Sequence, residues 1–122
     1  MRIAGMIVLI CVSSPVAAAD WVFVTDDKNG GLVYLDKDSR RVAGSSIQIW
    51  AKIDQRADKS TTDHLRKDLL LIDCSDRTWA LKQTLSYGPD DSITHSNVSP
   101  SPVFRAVVPE TLMESIAEVV CA

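Results

Sequence analysis

Residues that carry catalysis or hold metals are few in this sequence of 122 residues. His64 and His95 are its only histidines, and neither belongs to a close pair of ligands of the kind that structural zinc sites use. Residues 36–40 resemble the start of a calcium-binding loop. However, Arg40 occupies the fifth position, where Asp or Asn is needed, and no glycine follows it. The pattern predicts solvent-exposed histidines and no metal site.

Nucleophilic and phosphate chemistry have no better support. Gly30-Gly31 reads as a turn, because a phosphate-binding loop needs a lysine and a helix directly after its glycines. No G-x-S-x-G element occurs. The 16 acidic residues are numerous enough for carboxylate pairs to arise without a catalytic role. We therefore expect a protein that is not an enzyme and that needs no cofactor.

The first nineteen residues read as a secretory signal peptide. Met1-Arg2 gives a short positive region, residues 3–12 form an apolar run, and residues 17–19 are the small alanines that signal peptidase requires. We predict cleavage after Ala19, with Asp20 as the new N-terminus. The alternative of a retained anchor is disfavoured, since a membrane span takes about 20 apolar residues. A lipid-modified Cys11 is a further alternative, disfavoured by the bulky Ile10 before it.

The region from 20 to 122 then forms a single domain. Removal of residues 1–19 takes away Arg2 and no acidic residue, so the net charge falls by one unit from −3 to −4. An acidic chain without clustered Lys and Arg does not suit nucleic-acid binding. With 46% hydrophobic and 24% charged residues, the composition also excludes a disordered tail.

Two cysteines remain after the signal peptide is removed. Cys74 and Cys121 allow one pairing, so an oxidising compartment predicts a disulfide between them. Two buried free thiols are the alternative. The wide spacing excludes a C-x-x-C redox pair.

Hydrophobic periodicity divides the domain into strands followed by one helix. Alternating or continuous apolar runs bounded by polar clusters predict about six strands, namely 21–24, 32–35, 47–54, 69–74, 77–87 and a short edge strand at 93–95. Residues 55–67 read as a polar loop and 96–102 as a linker. In the run 77–87, we expect Trp79, Leu81, Leu85 and Tyr87 on one side.

The last segment changes to a helical period. Pro109 suits the first position of a helix, and apolar residues between Leu112 and Val120 form one stripe. The predicted architecture is α+β: an antiparallel sheet with one C-terminal helix on one face, tied to the sheet by the disulfide.

The predicted sheet has apolar residues on both faces. If Cys74 points toward the helix, Leu70 and Ile72 do so as well, which leaves Leu69 and Leu71 on the opposite face. A sheet covered on one side should be polar on the other. These residues indicate a second layer, either the first hairpin folded over or a partner subunit, and a homodimer is the favoured interpretation.

Several short elements recur in an order that resembles a known family. The matching elements are Trp21-Val22, 31–36, Ile49-Trp50, 73–77, the spaced Phe104, Val107 and Pro109, and Val120-Cys121. In this order they resemble the surface-adhesin E family of small exported bacterial proteins. Tyr34-Leu35, Phe104 and Glu110-Thr111 depart from the family pattern but keep its packing character.

This resemblance implies a fold, a compartment and a partner. It implies an antiparallel sheet with a disulfide-linked C-terminal helix, in the periplasm or on the surface of a Gram-negative-type bacterium. It also implies adhesion to host extracellular-matrix proteins, although no binding residue carries over, because the matching positions are packing residues and cysteines. The alternative is a periplasmic interaction or envelope protein, such as a hydrolase inhibitor that acts through the acidic turns 26–31 or 88–91.

Overall fold

The computed structural model describes residues 19–122, so the predicted signal peptide lies outside the described residues except for Ala19. The strands are β1 (Trp21–Asp26), β2 (Leu32–Asp36), β3 (Arg41–Ala43), β4 (Ser46–Asp54), β5 (Leu65–Asp73), β6 (Thr78–Tyr87), β7 (Ile93–Val98) and β8 (Arg105–Ala106). A 3-10 turn spans Lys37–Ser39, and the helix α1 spans Leu112–Val120.

All eight strands belong to one antiparallel sheet. Six of them follow the order β1-β2-β4-β5-β6-β7, while β3 pairs with β4 and β8 pairs with β6. The α+β prediction is confirmed. The two extra strands have only three and two residues, which is too short for a hydrophobic period to reveal.

The core lies between one face of the sheet and α1. Cross-strand pairing puts Ile49 beside Leu70 and Ile47 beside Ile72, and these residues share a cluster with Ile116 and Val120 of the helix. The predicted apolar stripe is therefore the face that the helix buries, with the exception of Val119, which is exposed. Within residues 19–122 no helix is long and apolar enough to cross a membrane.

The helix begins later than Pro109. Glu110 has a φ of +62°, which is outside the helical region, and the extended Thr111 is the N-cap residue. The Thr111 hydroxyl donates to the Val108 carbonyl at 2.6 Å, and no side chain caps the first turn. Pro109 therefore lies in the turn before the helix.

The disulfide joins Cys74 to Cys121, with their Cα atoms 5.7 Å apart. Cys74 follows β5 directly and Cys121 follows α1 directly. The bond thus fastens the C-terminal end of the helix to the end of a central strand.

Strand β5 begins at Leu65, four residues before the predicted start. Arg66, Lys67 and Asp68 belong to the strand because β4 and β6 pair with it on both sides. Strand β7 likewise reaches Val98, into the predicted linker, and all six of its residues are exposed. Polar residues in these segments hid the strands, since their side chains give no hydrophobic period and only the backbone pairing shows that they belong to the sheet.

A β-bulge in β6 overturns one predicted face. Leu81 pairs with Leu70, but Gln83 pairs with Leu69, so Lys82 is an extra residue. The insertion reverses the alternation. Trp79 and Leu81 therefore face the helix, whereas Leu85 and Tyr87 face the other side of the sheet, and the expectation that these four share one side was wrong.

The first hairpin does not form a second layer. Strand β1 pairs with β2, and β2 pairs with β4, so the hairpin extends the sheet. Within residues 19–122, the sheet face opposite α1 has no covering element. We call it the helix-free face.

Candidate partner-binding face

The helix-free face carries aromatic, aliphatic and lysine side chains. Its central members follow from the strand register and are Trp21, Phe23, Tyr34, Trp50, Lys52, Lys67, Leu69, Leu71, Leu85 and Tyr87. Leu69, which pairs with Trp50, is only 7% exposed. The large neighbouring side chains account for this burial, because no separate layer does so in the described part of the chain. Phe23 is 52% exposed.

Aromatic rings and lysines contact one another across the strands. The Lys52 ammonium lies 4.5 Å from the centre of the Trp21 ring and 5.1 Å from that of Tyr34. Phe23 meets Tyr34 edge to face, with ring centres 5.6 Å apart. The Lys67 ammonium lies 5.5 Å from the centre of the Tyr87 ring. These are cation–π distances, and they hold both lysines against the sheet.

The two lysines are direct cross-strand neighbours. Lys52 pairs with Lys67 in the register, and like charges in that position repel. Burial lowers the pKa of Lys52, and the charge of Lys67 lowers it further, while Asp54 acts in the opposite direction. The ion pairs within residues 19–122 are Arg56–Asp54 and Arg66–Asp68. Neither Lys52 nor Lys67 therefore belongs to an ion pair within these residues.

A recess of about 320 Å³ opens beside Lys67 on this face. Its walls come from Trp21, Trp50, Leu85 and Tyr87, with the carboxylate of Asp36 at one side. Asp36 accepts hydrogen bonds from the backbone N–H groups of Asp20 and Asp38 at 3.1 and 3.0 Å. This combination of ring faces, a cation and an anchored carboxylate is suited to binding and offers no nucleophile or general base pair.

The predicted cleavage residues Ala19 and Asp20 lie at this recess, which Ala19 lines, whereas the predicted cysteines and histidines lie elsewhere. The Cys74–Cys121 disulfide lies on the helix side of the sheet, where it joins α1 to β5. His95 is exposed in β7. His64 is half-buried and its backbone N–H donates to the Tyr87 carbonyl, so the expectation of an exposed histidine was wrong for His64. No group of three or more His, Cys, Asp or Glu side chains in residues 19–122 is placed to hold a metal.

In both acidic turns, an aspartate side chain accepts hydrogen bonds from later residues of the same turn. Asp27 accepts from the N–H groups of Asn29 and Gly31 at 2.8 and 2.7 Å. Asp90 accepts from the N–H and the hydroxyl of Ser92 at 3.3 and 2.7 Å. These side chains stabilise the turns.

Sequence reasoning found only part of this face. Leu69 and Leu71 were singled out because apolar residues on the face opposite the helix contradicted a one-layer sheet. Lys52 and Lys67 were missed. The alternation in β4 marks Lys52 as opposite the isoleucine row, but its nearness to Lys67 and Tyr34 depends on register, which no local pattern gives.

The sequence of this chain matches a described family. The sequence profile of surface-adhesin protein E matches residues 21–122 of this chain. The chain belongs to the surface-adhesin protein E family. This is a family of adhesins, which is not a class of enzymes, and membership implies an exported or surface protein.

Solved structures of protein E from Haemophilus influenzae share the fold. One crystal form superposes with a TM-score of 0.59 at 15% identity, covering 81% of this chain and 86% of that chain. Protein E from a non-typeable strain gives 0.56 at 14% identity, covering 88% and 80%. No curated protein sequence matches this chain significantly. At these low identities, the likeness between the chains is one of fold.

Proposed function

We propose that this protein is a non-enzymatic, exported binding module that docks a host extracellular-matrix protein on its helix-free face. The observation that carries the proposal is a broad aromatic face that residues 19–122 leave uncovered. Aromatic side chains are enriched at protein interfaces, and Trp and Tyr are frequent among the few residues that dominate the binding energy. Membership in an adhesin family supports a protein partner.

The charge and aromatic character of the helix-free face indicate what kind of partner surface fits it. Lys52 and Lys67 form a local positive site on a chain whose net charge is −3. A complementary epitope carries carboxylates beside a flat apolar area. Since dissolved ions screen the attraction between these lysines and such an epitope, binding should weaken as salt is added.

The test is binding of the purified protein to a panel of immobilised matrix proteins. We expect the double variant Lys52→Gln, Lys67→Gln to lose about tenfold or more in affinity, and Trp21→Ala to lose a similar amount. Lys59→Gln and Arg105→Gln are matched controls, because Lys59 is exposed in the loop between β4 and β5 and the exposed Arg105 pairs with Trp79, which faces the helix. Equal loss in the controls, or retention in the double variant, would reject this face as the binding site.

Export and processing are part of the same proposal. Residues 1–19 act as a cleaved signal peptide, and the exported protein begins at Asp20. Intact-mass measurement of the exported protein checks the cleavage. Protease treatment of intact cells checks the compartment: loss of the protein while a periplasmic marker survives supports the surface, whereas protection of both contradicts it.

A second candidate is a periplasmic inhibitor of a hydrolase. It is favoured by the rigidity of the turn 26–31, since inhibitors insert fixed loops and Asp27 holds this one with two backbone hydrogen bonds. An acidic loop suits a basic enzyme such as a lysozyme. Micromolar protein that leaves lysozymes fully active would remove this candidate.

A further inference from the structure

On the face of the sheet that α1 packs against, an open recess remains between the helix and the strands. The recess has a volume of about 320 Å³ and lies beside the first turns of α1. Its apolar lining comes from β4, β5, β6 and α1, principally Ala51, Ile53, Leu70, Leu81, Leu112 and Met113. Trp79 also lines it. This volume is near the lower limit of small-molecule pockets, which span roughly 300–1,000 Å³.

One end of the recess is polar and organised. Asp68 is 8% exposed, and each of its carboxylate oxygens already has a donor. Oδ2 accepts from Arg66 Nε at 3.1 Å, and Oδ1 accepts from the Thr84 hydroxyl at 2.6 Å. The bulge in β6 makes this possible, because it turns Thr84 to the helix side opposite Asp68.

Asp68 therefore orients Arg66 and leaves part of it free. The guanidinium uses only Nε toward Asp68, and its two Nη nitrogens have no hydrogen-bond acceptor within residues 19–122. The Arg66 side chain is 39% exposed. A fork of two N–H groups held in a fixed plane matches a carboxylate in bidentate geometry.

We propose that this recess binds a short aliphatic carboxylate, with its hydrocarbon chain over the apolar lining and its carboxylate on the Nη edge of Arg66. The site is distinct from the helix-free face, because it lies on the other side of the sheet. It does not depend on the function proposed above.

The tryptophans provide the readout. Trp79 lines the recess, whereas Trp21 and Trp50 lie on the opposite face of the sheet. Titration of the disulfide-bonded protein with octanoate, followed by NMR of the indole N–H signals, should shift Trp79 and leave the other two unchanged. Affinity should rise about fourfold per methylene from butanoate to octanoate. Octanol and octylamine should bind about tenfold or more weakly than octanoate.

Variants of Arg66 decide the role of the charge. Arg66→Gln should weaken octanoate binding about ten- to hundredfold, the range for loss of a hydrogen bond to a charged group. Arg41→Gln is the matched control and should bind normally, because the exposed Arg41 pairs with Gln48 on the opposite face of the sheet. Arg66→Lys, which keeps the charge but loses the fork, serves if Arg66→Gln does not fold and should bind less tightly than wild type. Equal binding of octanol and octanoate, unchanged affinity in the folded Arg66 variant, or shifts confined to Trp21 and Trp50 would each overturn the proposal.

Discussion

At the residue scale, charged side chains on this sheet differ in what surrounds them. Lys52 lies against the rings of Trp21 and Tyr34, so ordering its long side chain costs less when a partner arrives. Asp54, one position beyond Ile53 on the same strand, is instead held by the guanidinium of Arg56 at 2.6 Å. The Lys52 ammonium thus remains available to a partner, whereas the Arg56 guanidinium is paired with Asp54.

Carboxylates held in this way make the protein sensitive to acid. Hydrogen bonds from Arg56 are the main cause that lowers the pKa of Asp54, and a hydrogen bond from the Ser92 hydroxyl does the same for Asp90. A lowered pKa contributes stability above the unfolded value of about 3.9, and this stability is lost as pH falls through the folded pKa. We expect the melting temperature to decline below about pH 4.

The measurement is thermal unfolding between neutral pH and about pH 3. Asp54→Asn should show a smaller acid-induced decline than wild type. Asp38→Asn is the control, since the Asp38 side chain is exposed and forms no ion pair with the described residues. Parallel curves for wild type and Asp54→Asn would show that this carboxylate does not set the acid limit.

At the element scale, α1 is held by packing and by one covalent bond. It has nine residues and no side-chain N-cap hydrogen bond, and isolated helices of this length are unstable in water. Its buried residues and Cys121 must therefore supply the stability that the helix lacks by itself.

Packing is tested by two matched truncations on the helix. Ile116 is 2% exposed, whereas Val119 is 47% exposed. Ile116→Ala should lower the free energy of unfolding by about 2–5 kcal/mol, and Val119→Ala should change it by less than about 0.5 kcal/mol. Urea unfolding gives both values. Similar losses would mean that the helix is not docked by this stripe.

The disulfide is tested by replacing both cysteines. Cys74 and Cys121 are 47 positions apart, and closure of a loop of that length accounts for about 4 kcal/mol in the chain-entropy model. We expect Cys74→Ser, Cys121→Ser to unfold at correspondingly lower urea, with reduced helical circular dichroism. Wild-type protein with its disulfide reduced is the parallel sample, and it should unfold at a similarly low urea concentration. A decrease of less than about 1 kcal/mol in the free energy of unfolding would contradict the chain-entropy explanation of this disulfide.

At the scale of the whole molecule, the sheet separates two surfaces with different chemistry. The helix side holds the core, the disulfide and the recess at Arg66, while the helix-free face holds the lysines and aromatic rings. A second copy of the chain is an alternative occupant of the helix-free face. Two-fold symmetry would then bring like surfaces together.

The response to added salt distinguishes a second copy of the chain from an acidic partner protein on this face. Self-association through a face bearing Lys52 and Lys67 brings positive charge to positive charge, so added salt should strengthen a dimer. An acidic partner protein should bind less tightly under the same change. Light scattering with gel filtration at tens of micromolar, at low and high salt, measures the first effect. A monomer under both conditions would remove the dimer.

The local sequence determined the class of fold. Period-two runs such as 47–54, the apolar stripe of α1 and the pair Cys74–Cys121 predicted the sheet, the helix and the bond between them. Each of these signals is local, or involves only one possible partner. The unexpected apolar residues Leu69 and Leu71 also indicated correctly that the face opposite the helix would be apolar.

Tertiary structure decided where the side chains meet. The extra Lys82 in β6 turned Tyr87 toward Lys67 and Thr84 toward Asp68, and neither contact follows from alternation, since a bulge reverses the period without changing composition. Polar segments such as 65–68 became strand because neighbours paired with their backbone. Both proposed binding sites depend on register between distant strands, and register is set by the packing of the whole sheet.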